Sequence, residues 1–166
     1  MVSQTPGTLD AWRGFTEVNG PGYRNVTEQL IGRSLATGEI TPYLATSWEV
    51  VSPTVVLFEL REGLTHHDGT PFNAESAAVA LNFVYDPVNA FDLLDITGPR
   101  VGEAVGEYTL KVTTPEGDPL GLQKIEFMPF TSAKQIMEGK HSEALIGTGP
   151  YSFIEWKQGE GLFYEA

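Results

Sequence analysis

The chain contains no cysteine, so disulfide bonds, thiolate zinc sites and cysteine nucleophiles are excluded. It also has no apolar run near the ~20 residues that a membrane-spanning helix requires. Its start, residues 1–6, carries neither the basic nor the apolar segment of a secretory signal, so we expect a soluble chain without a signal peptide. Basic residues are scarce, with 10 Lys and Arg against 22 Asp and Glu, a formal net charge of -12. That charge disfavours binding to nucleic acid or to an anionic membrane.

Length and composition favour a folded globular protein. The chain has 166 residues, of which 41% are hydrophobic and 11% aromatic. A chain of this size can bury a sizeable core, and we see no internal repeat or low-complexity tract. We therefore expect one domain, or one domain and part of another.

Helical periodicity is clearest over residues 74–85, where apolar side chains recur on one face. Asn73 is placed to cap this helix, and Pro87 ends it because the residue before a proline avoids the α region. Two shorter helices are also predicted. They lie near 26–34, and over 132–138 with Ile136 and Met137 facing inward.

Alternating apolar and polar side chains predict strands elsewhere. The turn at Asp68 and Gly69 favours a reversal of the chain, because both residues tolerate a positive φ. The predicted strands lie near 48–51, 54–61, 108–113, 124–128 and 151–156.

Several linked segments carry a more specific signal. Residues 58–63 read FELREG, and residues 66–75 read HHDGTPFNAE. The pattern continues in residues 8–10 (TLD), 40–48 (ITPYLATSW) and 147–151 (GTGPY). In order and spacing these segments resemble family 5 of the bacterial solute-binding proteins, the peptide and nickel binders. The chain departs from the family at His66, where an aromatic residue is common, and at Ser52, where an acidic residue is common.

The resemblance implies an α+β fold of the periplasmic-binding-protein type, class II. Residues 1–45 would begin the first lobe, 46–145 would form an inserted small domain, and 146–166 would return to the first lobe. Such proteins are usually much longer, so the second lobe would be absent from this chain.

The same resemblance implies the substrate-binding component of an ABC transporter. Such a protein captures an oligopeptide, a dipeptide or a similar small solute and delivers it to a membrane permease, at the periplasmic or cell-surface side. No enzymatic activity and no cofactor are expected. Two alternatives remain: an interaction domain without a ligand of its own, and a small hydrolase.

The loop from Trp12 to Tyr23 is the predicted binding segment, because loops on a rigid scaffold commonly carry recognition. It combines aromatic surface with charged ends, and the resemblance places three of its residues where a ligand backbone is contacted. The alternative is that its aromatics only anchor the loop to the core. The candidate residues are Trp12, Arg13, Phe15, Thr16, Glu17 and Tyr23, with Phe15 to Glu17 taken from the resemblance.

Two further chemistries are weighed and set aside. A metal site at His66 and His67 is disfavoured because neighbouring residues on a strand point to opposite faces. Catalysis by paired carboxylates needs a shared pocket that shifts one pKa, and the spacing supplies none. The carboxylate pairs considered are Asp92 with Asp95, and Glu155 with Glu160.

Overall fold

The computed structural model describes residues 8–13, 20–89, 99–114, 125–157 and 160–166. Three helices and eight strands occupy these ranges. The helices are α1 Gly20–Tyr23, α2 Ala74–Tyr85 and α3 Ala133–Met137. The strands are β1 Ile31–Arg33, β2 Ile40–Pro42, β3 Ala45–Ser52, β4 Val55–Leu60, β5 Val101–Ala104, β6 Thr109–Thr113, β7 Ser152–Lys157 and β8 Gly161–Glu165.

The central sheet has the strand order β3-β4-β6-β5, and all its neighbours are antiparallel. Trp48 pairs with Phe58, and Phe58 pairs with Leu110, so these side chains share one face. On β4, Phe58 and Leu60 are buried while Glu59 is exposed. One face of the sheet is therefore covered by protein and the other meets solvent.

Helix α2 covers the apolar face, and its start is fixed by a reciprocal cap. The Asn73 side chain accepts a hydrogen bond from the Ser76 N–H at 2.9 Å, and the Ser76 hydroxyl accepts one from the Asn73 N–H at 2.9 Å. Leu81 on α2 is fully buried and lies close to Gly102 of β5. The predicted helix over 74–85 and its cap are confirmed.

Apolar side chains collect in two clusters. The main core lies between α2 and the central sheet, and it also includes Trp12, Leu30 and Ile31 from the first part of the chain. The second core joins Leu9, Tyr23, Val26 and Leu145, and the hairpin of β7 and β8 packs on it. The boundaries at 45/46 and 145/146 stay a prediction.

The predicted helix near 26–34 is wrong. Helix α1 ends at Tyr23, and residues 31–33 form strand β1, which pairs with β2. The backbone around Val26 and Glu28 instead bonds to distant segments, because the Val26 carbonyl accepts from the Gly149 N–H and the Glu28 carbonyl accepts from the Phe130 N–H. Local capping signals therefore lost to long-range pairing.

Two smaller predictions also need correction. No strand forms over 125–128, where the Met128 N–H donates to the carbonyl of Ile125 in a turn. Helix α3 is present as predicted with Ile136 buried, but Met137 is 73% exposed instead of facing inward. The other predicted strands are present with shifted ends.

We predict that Leu81→Ala destabilises the protein by about 2–5 kcal/mol, because it leaves a cavity in a fully buried site between α2 and the sheet. Urea unfolding would measure the change. The matched control is Leu35→Ala, whose side chain is fully exposed, with an expected change within about 0.5 kcal/mol. Equal losses for the two variants would contradict the orientation of α2.

Candidate functional site

Asp10 shapes the turn at which the predicted binding segment begins. Its Oδ1 accepts hydrogen bonds from the backbone N–H of Trp12 at 3.0 Å and of Arg13 at 3.2 Å. Its Oδ2 lies 3.6 Å from Arg13 Nε and 3.7 Å from His141 Nε2. Asp10 is buried, and a buried carboxylate must find its partners within the protein. The conformation of the turn therefore depends on this side chain.

Trp12 is enclosed in the main core. Its ring lies 5.4 Å from the ring of Phe83, centroid to centroid, and its indole N–H donates to the carbonyl of Pro129 at 2.9 Å. The side chain is only 2% exposed. This position matches the anchoring alternative, and a ligand contact by Trp12 stays a prediction.

Arg13 points the other way, into solvent. Its side chain is 55% exposed, and its guanidinium donates to the carbonyl of Asn89 at 2.9 Å. An exposed guanidinium can bind a carboxylate ligand by donating two parallel hydrogen bonds to it. The next three predicted site residues, Phe15, Thr16 and Glu17, lie outside the described residues.

Tyr23 lies at the far end of the predicted segment and is fully buried in the second core. Its hydroxyl donates to the carbonyl of Thr8, which ties the far end of the segment to the chain just before its start. Burial, and after it the nearby Tyr164 and Asp10, raise the pKa of Tyr23 to about 12. Trp12 and Arg13 are thus neighbours at the start of the segment. Tyr23 belongs to a separate apolar cluster and anchors the end of the segment there.

The two histidines of the predicted Asp68-Gly69 turn have different surroundings. Gly69 has a φ of 77°, as the turn requires. His66 is buried edge-on against Phe72, with ring centroids 5.8 Å apart. The His67 ring instead bonds to the Gly149 carbonyl, with Nε2 2.8 Å from that oxygen. Through His67, the turn between β4 and α2 is therefore bonded to residues 147–151.

Residues 25–28 and 147–151 make a backbone contact that we call the seam. The Gly149 N–H donates to the Val26 carbonyl at 2.8 Å, and the Tyr151 N–H donates to the Asn25 carbonyl at 3.1 Å. A Cβ on Gly147 would lie 2.3 Å from the Val26 oxygen. Glycine is required here because no larger residue fits the approach.

A shallow concavity of about 220 Å³ opens beside the seam, and the sequence analysis missed it. The Tyr43 ring forms part of its wall and packs directly over Gly32, where a Cβ would lie 1.9 Å from Cε2. The contact of Tyr43 with Gly32 follows only from the pairing of β1 with β2, and the sequence analysis predicted a helix over the residues of β1. The lining residues are Arg24, Thr27, Glu28, Gln29, Tyr43 and Pro150.

The described ranges contain neither a clustered set of metal ligands nor a membrane-spanning helix. No group of three or more His, Cys, Asp or Glu side chains in these ranges is placed to hold a metal ion. None of the helices in the same ranges is both long and apolar enough to span a membrane.

Comparison with known proteins identifies the family. The model of the bacterial extracellular solute-binding proteins, family 5 Middle, matches residues 39–166. The chain therefore belongs to the family 5 bacterial extracellular solute-binding proteins. Heme-binding protein A of Haemophilus influenzae is 25% identical over 194 residues, covering 96% of this chain and 36% of that protein. Glutathione-binding protein GsiB of Pectobacterium atrosepticum is 26% identical over 163 residues, covering 87% of this chain and 31% of that protein.

Solved structures agree on the fold. The PBP AgaA of A. tumefaciens R10, in complex with agropinic acid, superposes with a TM-score of 0.87 at 22% identity, over 98% of this chain and 34% of that one. The dipeptide binding protein of Pseudoalteromonas sp. SM9913, in complex with Met-Leu, gives 0.81 at 18% identity, over 93% and 36%. The predicted periplasmic-binding-protein-like α+β fold is confirmed. The chain spans about a third of the length of these relatives.

We predict that Gly147→Ala destabilises the protein by about 2 kcal/mol or more, because the added methyl group collides with backbone atoms of the seam. Chemical denaturation would measure the loss. Gly106→Ala is the control, since its Cβ would meet only the Thr109 side chain at 3.1 Å, and it should cost less than about 1 kcal/mol. A Gly147→Ala protein as stable as the control would contradict the seam.

We also predict a pH dependence of stability that His66 causes. Burial lowers the pKa of His66 below its ordinary value, so the unfolded chain takes up a proton more readily than the folded one. Stability should fall as the pH drops below about 6.5 and should stop falling, for this group, below the folded-state pKa. When the pH is lowered from 7.5 to 5, the free energy of unfolding, measured with urea, should fall less in His66→Phe than in the wild type. Parallel losses would show that His66 does not contribute.

Proposed function

We propose that this chain is part of the substrate-binding component of an ABC transporter, which captures a peptide or similar small solute for import. The family match over residues 39–166 is the observation that carries this proposal. The fold agreement with the PBP AgaA and with the dipeptide binding protein supports it. These relatives are named as binding proteins, which favours binding over catalysis.

The proposal includes the division of the chain. Residues 1–45 begin the first lobe, 46–145 form the inserted small domain, and 146–166 return to the first lobe, while the second lobe lies in a longer parent protein. The coverage of about a third of each relative supports this division. The seam supports it as well, because it holds residues 147–151 against residues 25–28 at the point where the chain would pass back into the first lobe.

The proposed solute contacts lie on the segment from Trp12 to Tyr23. The buried anchors Trp12 and Tyr23 hold its two ends, and Arg13 presents a positive charge at the surface. An exposed guanidinium can bind a ligand carboxylate through charge-assisted hydrogen bonds. We assign further contacts to Phe15, Thr16 and Glu17.

The solute class is proposed more broadly than one compound. The relatives are named for heme, glutathione, agropinic acid and a dipeptide, which are chemically diverse. A peptide is our default, because a short peptide offers both a carboxylate for Arg13 and backbone groups for hydrogen bonding. Delivery to a membrane permease from the periplasm or the cell surface follows from the family role. No cofactor, metal or nucleic acid takes part.

We predict that this chain alone binds solute weakly, near or beyond the millimolar range, while its full-length parent binds in the micromolar range, about -8 kcal/mol. One lobe leaves the polar groups of the solute half exposed to water, so much of the favourable pairing is missing. Calorimetry of both proteins with the same peptide pool would measure the difference. Equal affinities would contradict the two-lobed proposal.

In the parent protein, Arg13→Gln should weaken binding about fivefold or more, because an exposed charge-assisted hydrogen bond is lost. Arg33→Gln is the matched control: Arg33 is also partly exposed, pairs with Glu126 and is not among the proposed contact residues. If neither substitution changes the affinity, the solute is not held by Arg13. If no peptide binds the parent, the peptide proposal itself is wrong.

A further inference from the structure

His141 lies in the loop after α3 and reaches the turn formed by residues 10–13. Its Nε2 is 3.7 Å from Asp10 Oδ2. Its ring packs edge-on against Phe83, with centroids 4.8 Å apart, and lies 6.2 Å from the ring of Trp12. The side chain is 21% exposed. Rings on two sides therefore restrict its orientation, and one ring nitrogen faces the carboxylate.

The two oxygens of Asp10 have different tasks. Oδ1 accepts the Trp12 and Arg13 backbone N–H groups and so forms the turn. Oδ2 faces the cationic side chain of Arg13 and the imidazole of His141. Arg13 is more than half exposed, and solvent weakens its hold on the carboxylate. His141 is the more enclosed of these two partners, and its Nε2 lies beside Oδ2.

We propose that His141 is a positioning residue for solute binding. It acts through Asp10, whose carboxylate holds the turn from which Trp12 and Arg13 project, and it does not itself touch the solute. This inference rests on the proposed function, because it takes Arg13 as a solute contact. The sequence offers no sign of it, since 131 positions separate His141 from Asp10 and only the tertiary fold brings them together.

Two substitutions of His141 distinguish the contribution of its aromatic ring from that of its ring nitrogen. His141→Phe keeps an aromatic ring against Phe83 and removes the group that faces Asp10. His141→Gln places an amide N–H near the position of Nε2 and removes the ring. Lys140→Gln is the matched control, since Lys140 is the preceding residue, is exposed and pairs with Glu138.

The first measurement needs no ligand. Hydrogen exchange of the Trp12 and Arg13 amides reports the local opening of the turn. We expect His141→Phe to speed this exchange roughly tenfold, with His141→Gln within about threefold of the wild type and Lys140→Gln unchanged. In an Asp10→Asn background the effect of His141→Phe should disappear, because a double-mutant cycle isolates the interaction between the two side chains.

The second measurement is peptide binding by the full-length protein, with the dipeptide Met-Leu and a pool of di- and tripeptides as probes. We expect His141→Phe to weaken the affinity about fivefold or more at an unchanged thermal midpoint, and His141→Gln to recover most of it. A purely structural role would instead lower the midpoint.

Each outcome decides the inference. Unchanged exchange in His141→Phe, or an effect that persists in the Asp10→Asn background, overturns it. Faster exchange with unaltered peptide affinity overturns the role in binding. If the wild-type protein binds no probe, the assignment of a peptide solute fails, and with it the role of His141 in peptide binding, while exchange still tells whether His141 holds the turn. Faster exchange together with weaker binding, both recovered by His141→Gln, supports the inference.

Discussion

The rest of the arrangement depends on the close approach of two backbone segments, residues 25–28 and 147–151. The glycines at 147 and 149 allow the two backbone segments to approach so closely that a Cβ at either position would collide with the opposite backbone. Backbone hydrogen bonds then join them, and His67 adds a ring contact to the Gly149 carbonyl from the turn beside α2. This contact joins Val26 of the second core to the segment that leads into the hairpin of β7 and β8.

Asp68 and Asp10 each have nearby hydrogen-bond donors for their carboxylate oxygens. Burial would raise the pKa of Asp68, but hydrogen bonds from Ser132 and Thr70 outweigh it, so the pKa is lowered and the carboxylate stays ionised. Ser132 also caps α3, so the same contact links the Asp68 turn to that helix. At the other turn, Asp10 accepts backbone N–H groups on one oxygen and has basic side chains near the other. Both acidic residues thus act as fixed points between distant segments.

The candidate site combines a rigid base with an exposed edge. Trp12 and Tyr23 are fully enclosed, so their energetic role is to hold the chain on either side of the predicted contacts. Arg13 remains at the surface, outside both apolar cores. Such an arrangement suits a family whose relatives are named for heme, glutathione and a dipeptide, because the same buried anchor residues can support different contact residues.

Sequence by itself determined the elements whose signals are local. The helix over 74–85, its Asn73 cap, the turn at Gly69 and the alternating strands followed from side-chain periodicity and backbone preference, which act between near neighbours. The linked motifs also determined the family. Only the tertiary structure decided the path of residues 25–33, the burial of Trp12 and Tyr23, and the meeting of His141 with Asp10. These depend on which distant segments compete for the same backbone groups and space, and no local pattern encodes that competition.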